Sequence, residues 1–278
     1  MTYFAYHKKS LPTGKILANA LQIEHGIDPS DAPPQVTSLI RWGNRKNLFS
    51  DGTYDVVLNS AKAIERASNK LESLLIMAEA DINVPTPFEN FDDALDEYGY
   101  PLLGRQIHHT RGLDINLILQ RRDDKRNPSD YYIPYIPTNR EYRIHVVRDK
   151  VISVQGKYLD FPEKAVPHIR NYEHGYRFRT PSLRLKPDRL EAAIKAVSSL
   201  GLDFGAVDLI IDDYGVYNIL EVNTAPSCSR KTGLAYVMEF ANLLGVDNGQ
   251  ISLQELANLE TEERDSEEEE DGGDEIQE

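Results

Sequence analysis

Asp208, Glu221 and Asn223 lie in one stretch, FGAVDLIIDDYGVYNILEVNTAPSCS from Phe204 to Ser229, and each offers an oxygen ligand. Val207 to Ile211 and Val216 to Val222 are apolar or β-branched runs, and Asp212-Asp213-Tyr214-Gly215 between them has the residue types of a turn. A hairpin turning on Tyr214 and Gly215 sets Asp208 directly across from Glu221, with Cβ atoms roughly 5 Å apart. Like charges so placed repel unless a cation lies between them or one is protonated. Asn223 follows Glu221 by two and points to the same face of an extended chain. Three hard oxygen donors without His or Cys suit Mg²⁺, which also keeps waters and takes phosphate oxygens. The alternative is a hairpin with polar residues on its wet side, but that leaves Asn223 and the exit Thr224-Ala225-Pro226 unexplained.

The elements that must position these groups follow from periodicity. Helices are expected over Ser10 to Ile23, from Asn59 or Ser60 to about Ala80, over Pro187 to Leu200 with Gly201 as the stop, over Leu234 to Leu244, and over Leu253 to Leu259 behind a Ser252-to-Glu255 capping box. Strands are expected over Ser38 to Trp42, Asp55 to Leu58, Tyr100 to Ile107, Ile115 to Gln120 and Tyr131 to Ile136. Arg121 to Asp130 reads as a charged insertion without structure. A second hairpin, Glu141 to Val147 and Val151 to Lys157, turns at Arg148-Asp149-Lys150 and sets Arg143 opposite Gln155 and Glu141 opposite Lys157. On spacing alone these are equally surface cross-strand pairs or part of a site.

At 278 residues with 40% apolar content the chain can build a real core. No apolar run approaches the ~20 residues that span a bilayer, and the start lacks the features of a signal peptide, which implies a cytoplasmic address. Net charge is −14, and residues 260–278, with twelve acids and one base, carry −11 of it. The nearly neutral body argues against nucleic acid or an anionic membrane as partner, and the tail is expected to be disordered. The single cysteine, Cys228, excludes an internal disulfide, and without a nearby His it reads as packing rather than as a nucleophile. The PTGK of the first helix lacks the first Gly and the trailing Ser or Thr of a phosphate loop.

The pattern of Asp208 followed by Leu220-Glu221-Val222-Asn223-Thr224-Ala225-Pro226 resembles the closing strands of the ATP-grasp superfamily, most closely the carboxylate-amine ligases that include ribosomal-protein glutamate ligases and bacteriophage-encoded relatives. The resemblance covers roughly Ser10 to Gly245. It implies an α/β (α+β) ATP-grasp fold, with a pre-grasp lobe over residues 1–60, two grasp lobes with antiparallel sheets over 61–250, and a short helix with the acidic tail over 251–278. It implies ATP and Mg²⁺, two ions with Mn²⁺ as a substitute, held by Asp208, Glu221 and Asn223. Nucleotide contacts carry over to Lys70, Arg105, His109, Gly112 and Arg143, with Tyr132 and Ile133 offering backbone groups to adenine. Arg143, Lys157, Arg170 and Asn171 match residues around the phosphoryl-transfer centre, and Arg41 matches one near the acceptor carboxylate. Arg105 stands where the family has Lys, and Pro134 removes an N–H from the adenine strand. The implied reaction activates a carboxylate with ATP and joins it to an amine, in an amino acid, a peptide or a protein terminus. A kinase using the same nucleotide site, or a non-catalytic nucleotide-binding protein, are the competing readings.

Overall fold

The structure is a computed structural model and describes residues 1–107, 115–126, 129–166, 168–181 and 184–259. The chain divides into two compact units, residues 1–64 with 224–278, and residues 65–223. Among the described residues no helix is long and apolar enough to cross a membrane.

The first unit is built on a parallel sheet. Its strands are β1 (Thr2–Tyr6), β2 (Glu24–Gly26), β3 (Ser38–Trp42) and β4 (Val56–Leu58), in the order β2-β1-β3-β4, and α1 (Leu11–Leu21) makes the crossover from β1 to β2. The β1 sequence TYFAY is buried at every position, so it lacks the alternation that marks a half-buried strand. The later helix α7 (Arg230–Leu244) supplies Tyr236 and Phe240 to a cluster with Phe4 and Trp42, the Trp42 and Tyr236 rings meeting edge to face at 5.1 Å. Gly43 leaves β3 at φ +64°, and a Cβ there would come within 2.7 Å of the Ala225 Cβ, so glycine is required twice over.

The aromatic cluster explains why the expected division at residues 60 and 250 differs from the structure. Residues 224–250 bury their apolar stripe with β1 and β3 and belong to the first unit. The expected helix over Leu253 to Leu259 is a 3₁₀ turn at Glu255–Ala257, with Leu256 and Leu259 packed against Gly233.

In the second unit, α3 (Lys70–Glu79) follows α2 (Ala61–Ser68), inside which the division between the units falls. One long helix was expected here. Asn69 breaks it, because its side chain caps the new helix by accepting from the Glu72 N–H at 3.1 Å. Then come α4 (Phe91–Tyr98), β5 (Leu102–Arg105), β6 (Ile115–Ile118), α5 (Arg121–Arg126) and β7 (Tyr131–Pro134). The strands form an antiparallel sheet in the order β6-β5-β7, with Ala94, Leu102, Ile118 and Tyr132 as its core. The charged insertion is thus helical at its start, where the Asp123 carboxylate accepts the Leu119 and Gln120 N–H groups.

The larger sheet contains β8 (Arg140–Val147), β9 (Lys150–Leu159), β10 (Tyr176–Arg179), β11 (Phe204–Ile211) and β12 (Tyr217–Asn223), in the order β10-β9-β8-β11-β12 and antiparallel throughout. Helix α6 (Pro187–Ser199) packs on it through Ala192, Ala193, Ala196 and Val197. Both hairpins turn differently from expectation. Ile211 pairs with Tyr217 around a five-residue turn held by Asp212 and by Gly215 at φ +84°, and a bulge beside Asp208 then shifts the register by one. Val147 pairs with Lys150 around a two-residue turn, and a bulge beside His145 makes the same shift. In both cases the bulge offsets the turn, so the pairs expected farther along the strands are the ones that form.

Candidate functional site

Residues two apart on a strand share a face, and the register of the five-stranded sheet lines up polar side chains in rows across it. One row runs Gln155, Arg143, Asp208, Glu221 across β9, β8, β11 and β12. The row on one side runs Phe178, Lys157, Glu141 from β10 to β8. The row on the other side includes Ser153, His145, Ala206 and Asn223. The sheet therefore gathers Arg143, Lys157, Asp208, Glu221 and Asn223 on one face.

Asp208 and Glu221 face each other as expected, but they do not stand as a bare repelling pair. Arg143 donates to both oxygens of Asp208, Nε at 2.7 Å and Nη2 at 2.9 Å. Lys70, the first residue of α3 and only 12% exposed, reaches Glu221 Oε2 at 2.8 Å. The Asn223 amide nitrogen donates to Glu221 Oε1 at 2.9 Å and to Asp208 Oδ2 at 3.4 Å. Burial works against the charge of Glu221, yet Lys70, then Arg105, and the bonds from Lys70 and Asn223 hold its carboxyl well below the usual range. Burial likewise opposes the Arg143 charge, and Asp208, backed by Glu221 and Glu141, raises its pKa above that of an ordinary arginine.

Lys157 and Arg170 meet at a third acid. Lys157 is paired with Glu141 Oε1 and donates to the Arg170 carbonyl at 3.0 Å, while Arg170 Nη1 lies 3.4 Å from Glu141 Oε2. The Phe178 ring sits against two of the cations, 4.4 Å from the Arg143 guanidinium carbon and 5.2 Å from Lys157 Nζ. His145, fully buried, is bonded through Nε2 to Gln155 Oε1 at 3.0 Å, and burial lowers its pKa to about 4. Its imidazole is neutral at pH 7 and donates to the amide oxygen.

The structure shows how four of these residues are engaged. The Asn171 side chain caps its own turn by accepting the His174 N–H at 2.9 Å, so it is engaged in shaping the loop that carries Arg170. Tyr132 N–H and C=O both bond Phe88, at 2.8 and 2.9 Å, which leaves that residue's backbone unable to serve adenine as it stands. Ile133 is buried in β7 opposite Leu103. Arg41 is fully buried and binds Asp51 and the carbonyls of Lys46 and Asn47, so it organises the loop after β3. His109 and Gly112 lie outside the described residues, as does the acidic tail. Sequence reasoning missed Phe178, His145 and the role of Glu141. The alternation of Glu141, Arg143 and His145 along β8 was the available signal.

The donor set fits Mg²⁺. Two carboxylates and an amide project from one face, too few donors to fill the shell of Mg²⁺, so waters and phosphate oxygens would complete it. For Asn223 to contribute its oxygen the amide must turn over, because its nitrogen now faces both acids.

No family model matches the chain. A probable alpha-L-glutamate ligase 2 of Shewanella sp. (strain W3-18-1) is 28% identical over an alignment of 188 positions that covers 61% of this chain and 59% of that relative, so the chain matches less than two thirds of the relative's length. Among solved structures, the D-alanine–D-alanine ligase of Bacillus anthracis aligns over 96% of this chain and 98% of its own with a TM-score of 0.65 at 16% identity. The ATP-grasp ligase PsnB, solved with a phosphomimetic variant of its minimal precursor, Mg and ADP, aligns over 93% and 98% with a TM-score of 0.61 at 12% identity. The fold is therefore that of the ATP-grasp enzymes. The chain is thus similar in sequence to probable alpha-L-glutamate ligases and shares its fold with ATP-grasp ligases.

Proposed function

We propose that the chain is an ATP-dependent carboxylate-amine ligase that activates a carboxylate as an acylphosphate and passes it to an amine, giving ADP, phosphate and an amide or peptide bond. The observation that carries this reading is the transverse row in which Arg143, Asp208 and Glu221 adjoin across three strands, with Lys70 and Asn223 closing on its end. Asp208, Glu221 and Asn223 would hold Mg²⁺, which would neutralise phosphate charge and bridge the nucleotide to the sheet.

Once the acids have another partner, Lys70 and Arg143 are released toward phosphate oxygens. Arg105, whose positive charge helps lower the Glu221 pKa, would bind the same anion. Lys157 and Arg170 would stabilise the charge that develops on the transferred phosphoryl group. No Ser-His-Asp arrangement is called upon, so positioning and charge neutralisation supply the rate. The ADP and Mg bound by PsnB and the ligase name of the Shewanella relative support the reading.

The test is mass spectrometry of products formed from ATP, Mg²⁺ and a mixture of the common amino acids, with ADP measured in parallel. An amide product formed one-to-one with ADP is the expected result. A stable phosphorylated product without amine would replace the ligase by a kinase. Nucleotide binding with no ADP formed by any acceptor would remove the catalytic reading.

A further inference from the structure

We propose that Glu141 is a positioning residue, its carboxylate locking Lys157 and Arg170 into one fixed pair of cations aimed at the transferred phosphoryl group. The proposal rests on the ligase reading above, and it assigns a role to an acid that lies outside the Asp208–Glu221 pair.

Glu141 is 7% exposed and uses its two oxygens on two different cations, Lys157 at Oε1 and Arg170 at Oε2. Lys157 is set by the sheet, directly across from Glu141 in the β8–β9 register. Arg170 is not in a strand. It belongs to the irregular segment between β9 and β10, and its main chain is drawn to the same place because Lys157 Nζ also bonds its carbonyl at 3.0 Å. The carboxylate thus ties a loop-borne cation to a strand-borne one. Two long, flexible side chains gain one geometry from a single rigidly placed partner.

The charge count differs from that of the neighbouring pair. Among the described residues Arg143 and Asp208 are matched one to one, whereas Lys157 and Arg170 share a single acid with side chains 9% and 14% exposed. A nearly buried cluster with one uncompensated positive charge is completed by an anion. The Phe178 ring, 5.2 Å from Lys157 Nζ and 4.4 Å from the Arg143 guanidinium, gives these cations a weakly attractive floor that neutralises none of their charge. Removing the Glu141 charge therefore has two opposed effects. It strengthens the general attraction for an anionic nucleotide, and it loosens the geometry on which transition-state stabilisation depends.

The experiment compares the parent with Glu141→Gln and Glu141→Asp, reading affinity for the β,γ-imido analogue of ATP with Mg²⁺ by calorimetry, turnover by ADP formation with the amino-acid mixture, and melting temperature. For Glu141→Gln we expect analogue binding equal to or tighter than the parent's and turnover lower by about 10- to 100-fold. Glu141→Asp, which keeps the charge, recovers part of that loss. Turnover within about threefold of the parent in Glu141→Gln overturns the proposal. So does a joint fall of affinity, turnover and melting temperature in both variants, or failure of both to fold, since each marks Glu141 as a folding residue. If the parent itself forms no ADP, the ligase reading fails separately. The role of Glu141 is then decided by analogue binding, where weaker binding by Glu141→Gln overturns it.

Discussion

Asp208 on β11 and Glu221 on β12 are direct cross-strand partners, joined by the Asn223 amide nitrogen and flanked by Arg143 on one side and Lys70 on the other. From the hairpin alone, the two carboxylates repel, and neutralising either should relieve the sheet. The flanking cations reverse that inference, because each acid is the counter-charge of a nearly buried base.

Asp208→Asn is accordingly expected to lower stability without metal. It leaves Arg143 buried against a neutral amide, and breaking a buried pair from one side costs on the order of 3 kcal/mol. The double variant Arg143→Met, Asp208→Asn should regain much of that loss. Urea unfolding of the two variants and the parent measures it. Equal or higher stability of Asp208→Asn would mean that the ion pair contributes nothing to the folded state.

If the site is as proposed, the same pairing would tie the metal to the nucleotide. Mg²⁺ alone meets carboxylates already bound to Arg143 and Lys70, and nucleotide alone meets cations already bound to carboxylates. On the proposed reading, the two supplied together would exchange partners, with metal on the acids and phosphate on the bases. The rise in melting temperature with Mg²⁺ and ADP together should therefore exceed the sum of the rises with each alone. Simple additivity in a thermal-shift titration would contradict the exchange. In Glu221→Gln the excess should disappear while the protein remains folded.

Much of this site was legible in the sequence because alternation in a strand fixes which residues share a face, and Asp208, Glu221 and Asn223 obey it. The hairpin registers were reached although both turns were misjudged, since the bulges beside Asp208 and His145 each offset the turn by one residue. What stayed hidden depends on nonlocal contacts. Nothing in the helix around Lys70 says that it meets Glu221, 151 positions later, at 2.8 Å. The use of the Tyr132 backbone by Phe88 and the packing of Tyr236 on Trp42 likewise arise only once distant segments meet. Strand β1 was missed because burial on both faces erases its period.

His145 makes stability depend on pH. The folded state keeps the buried imidazole neutral down to about pH 4, against an ordinary value of 6.5, with desolvation as the main cause and the nearby Arg143 charge adding to it, while Gln155 and Asp208 act the other way. As pH falls below 6.5 the unfolded chain binds a proton that the folded chain refuses, so stability drops, by about 1 kcal/mol between pH 7 and 5.5. Glu221, with its pKa depressed in the folded state, adds a loss only at lower pH, once the unfolded carboxylate titrates. Urea unfolding at the two pH values should therefore show a decrement in the parent that is smaller in His145→Gln. An equal decrement in both would place the titrating group elsewhere.

Asn69 offers a way to move Lys70 without touching the sheet. Its side chain accepts the Glu72 N–H and starts α3 at Lys70, so the cap fixes the origin of the side chain that reaches Glu221. Asn69→Ala removes the acceptor and should cost about 1 kcal/mol of stability through fraying of the first helical turn. Fraying releases Lys70 first, because it is the first helical residue. Affinity for Mg²⁺-ADP should then fall with stability, whereas Asn69→Asp and Asn69→Ser, which keep an acceptor at the cap, should retain both. Calorimetric titration alongside thermal unfolding of the three variants separates the cases. If Asn69→Ala loses stability but binds Mg²⁺-ADP like the parent, Lys70 is held by its bond to Glu221 rather than by the cap, or it does not contact the nucleotide. Lys70→Met distinguishes these, since unchanged affinity in that variant would take Lys70 out of the site.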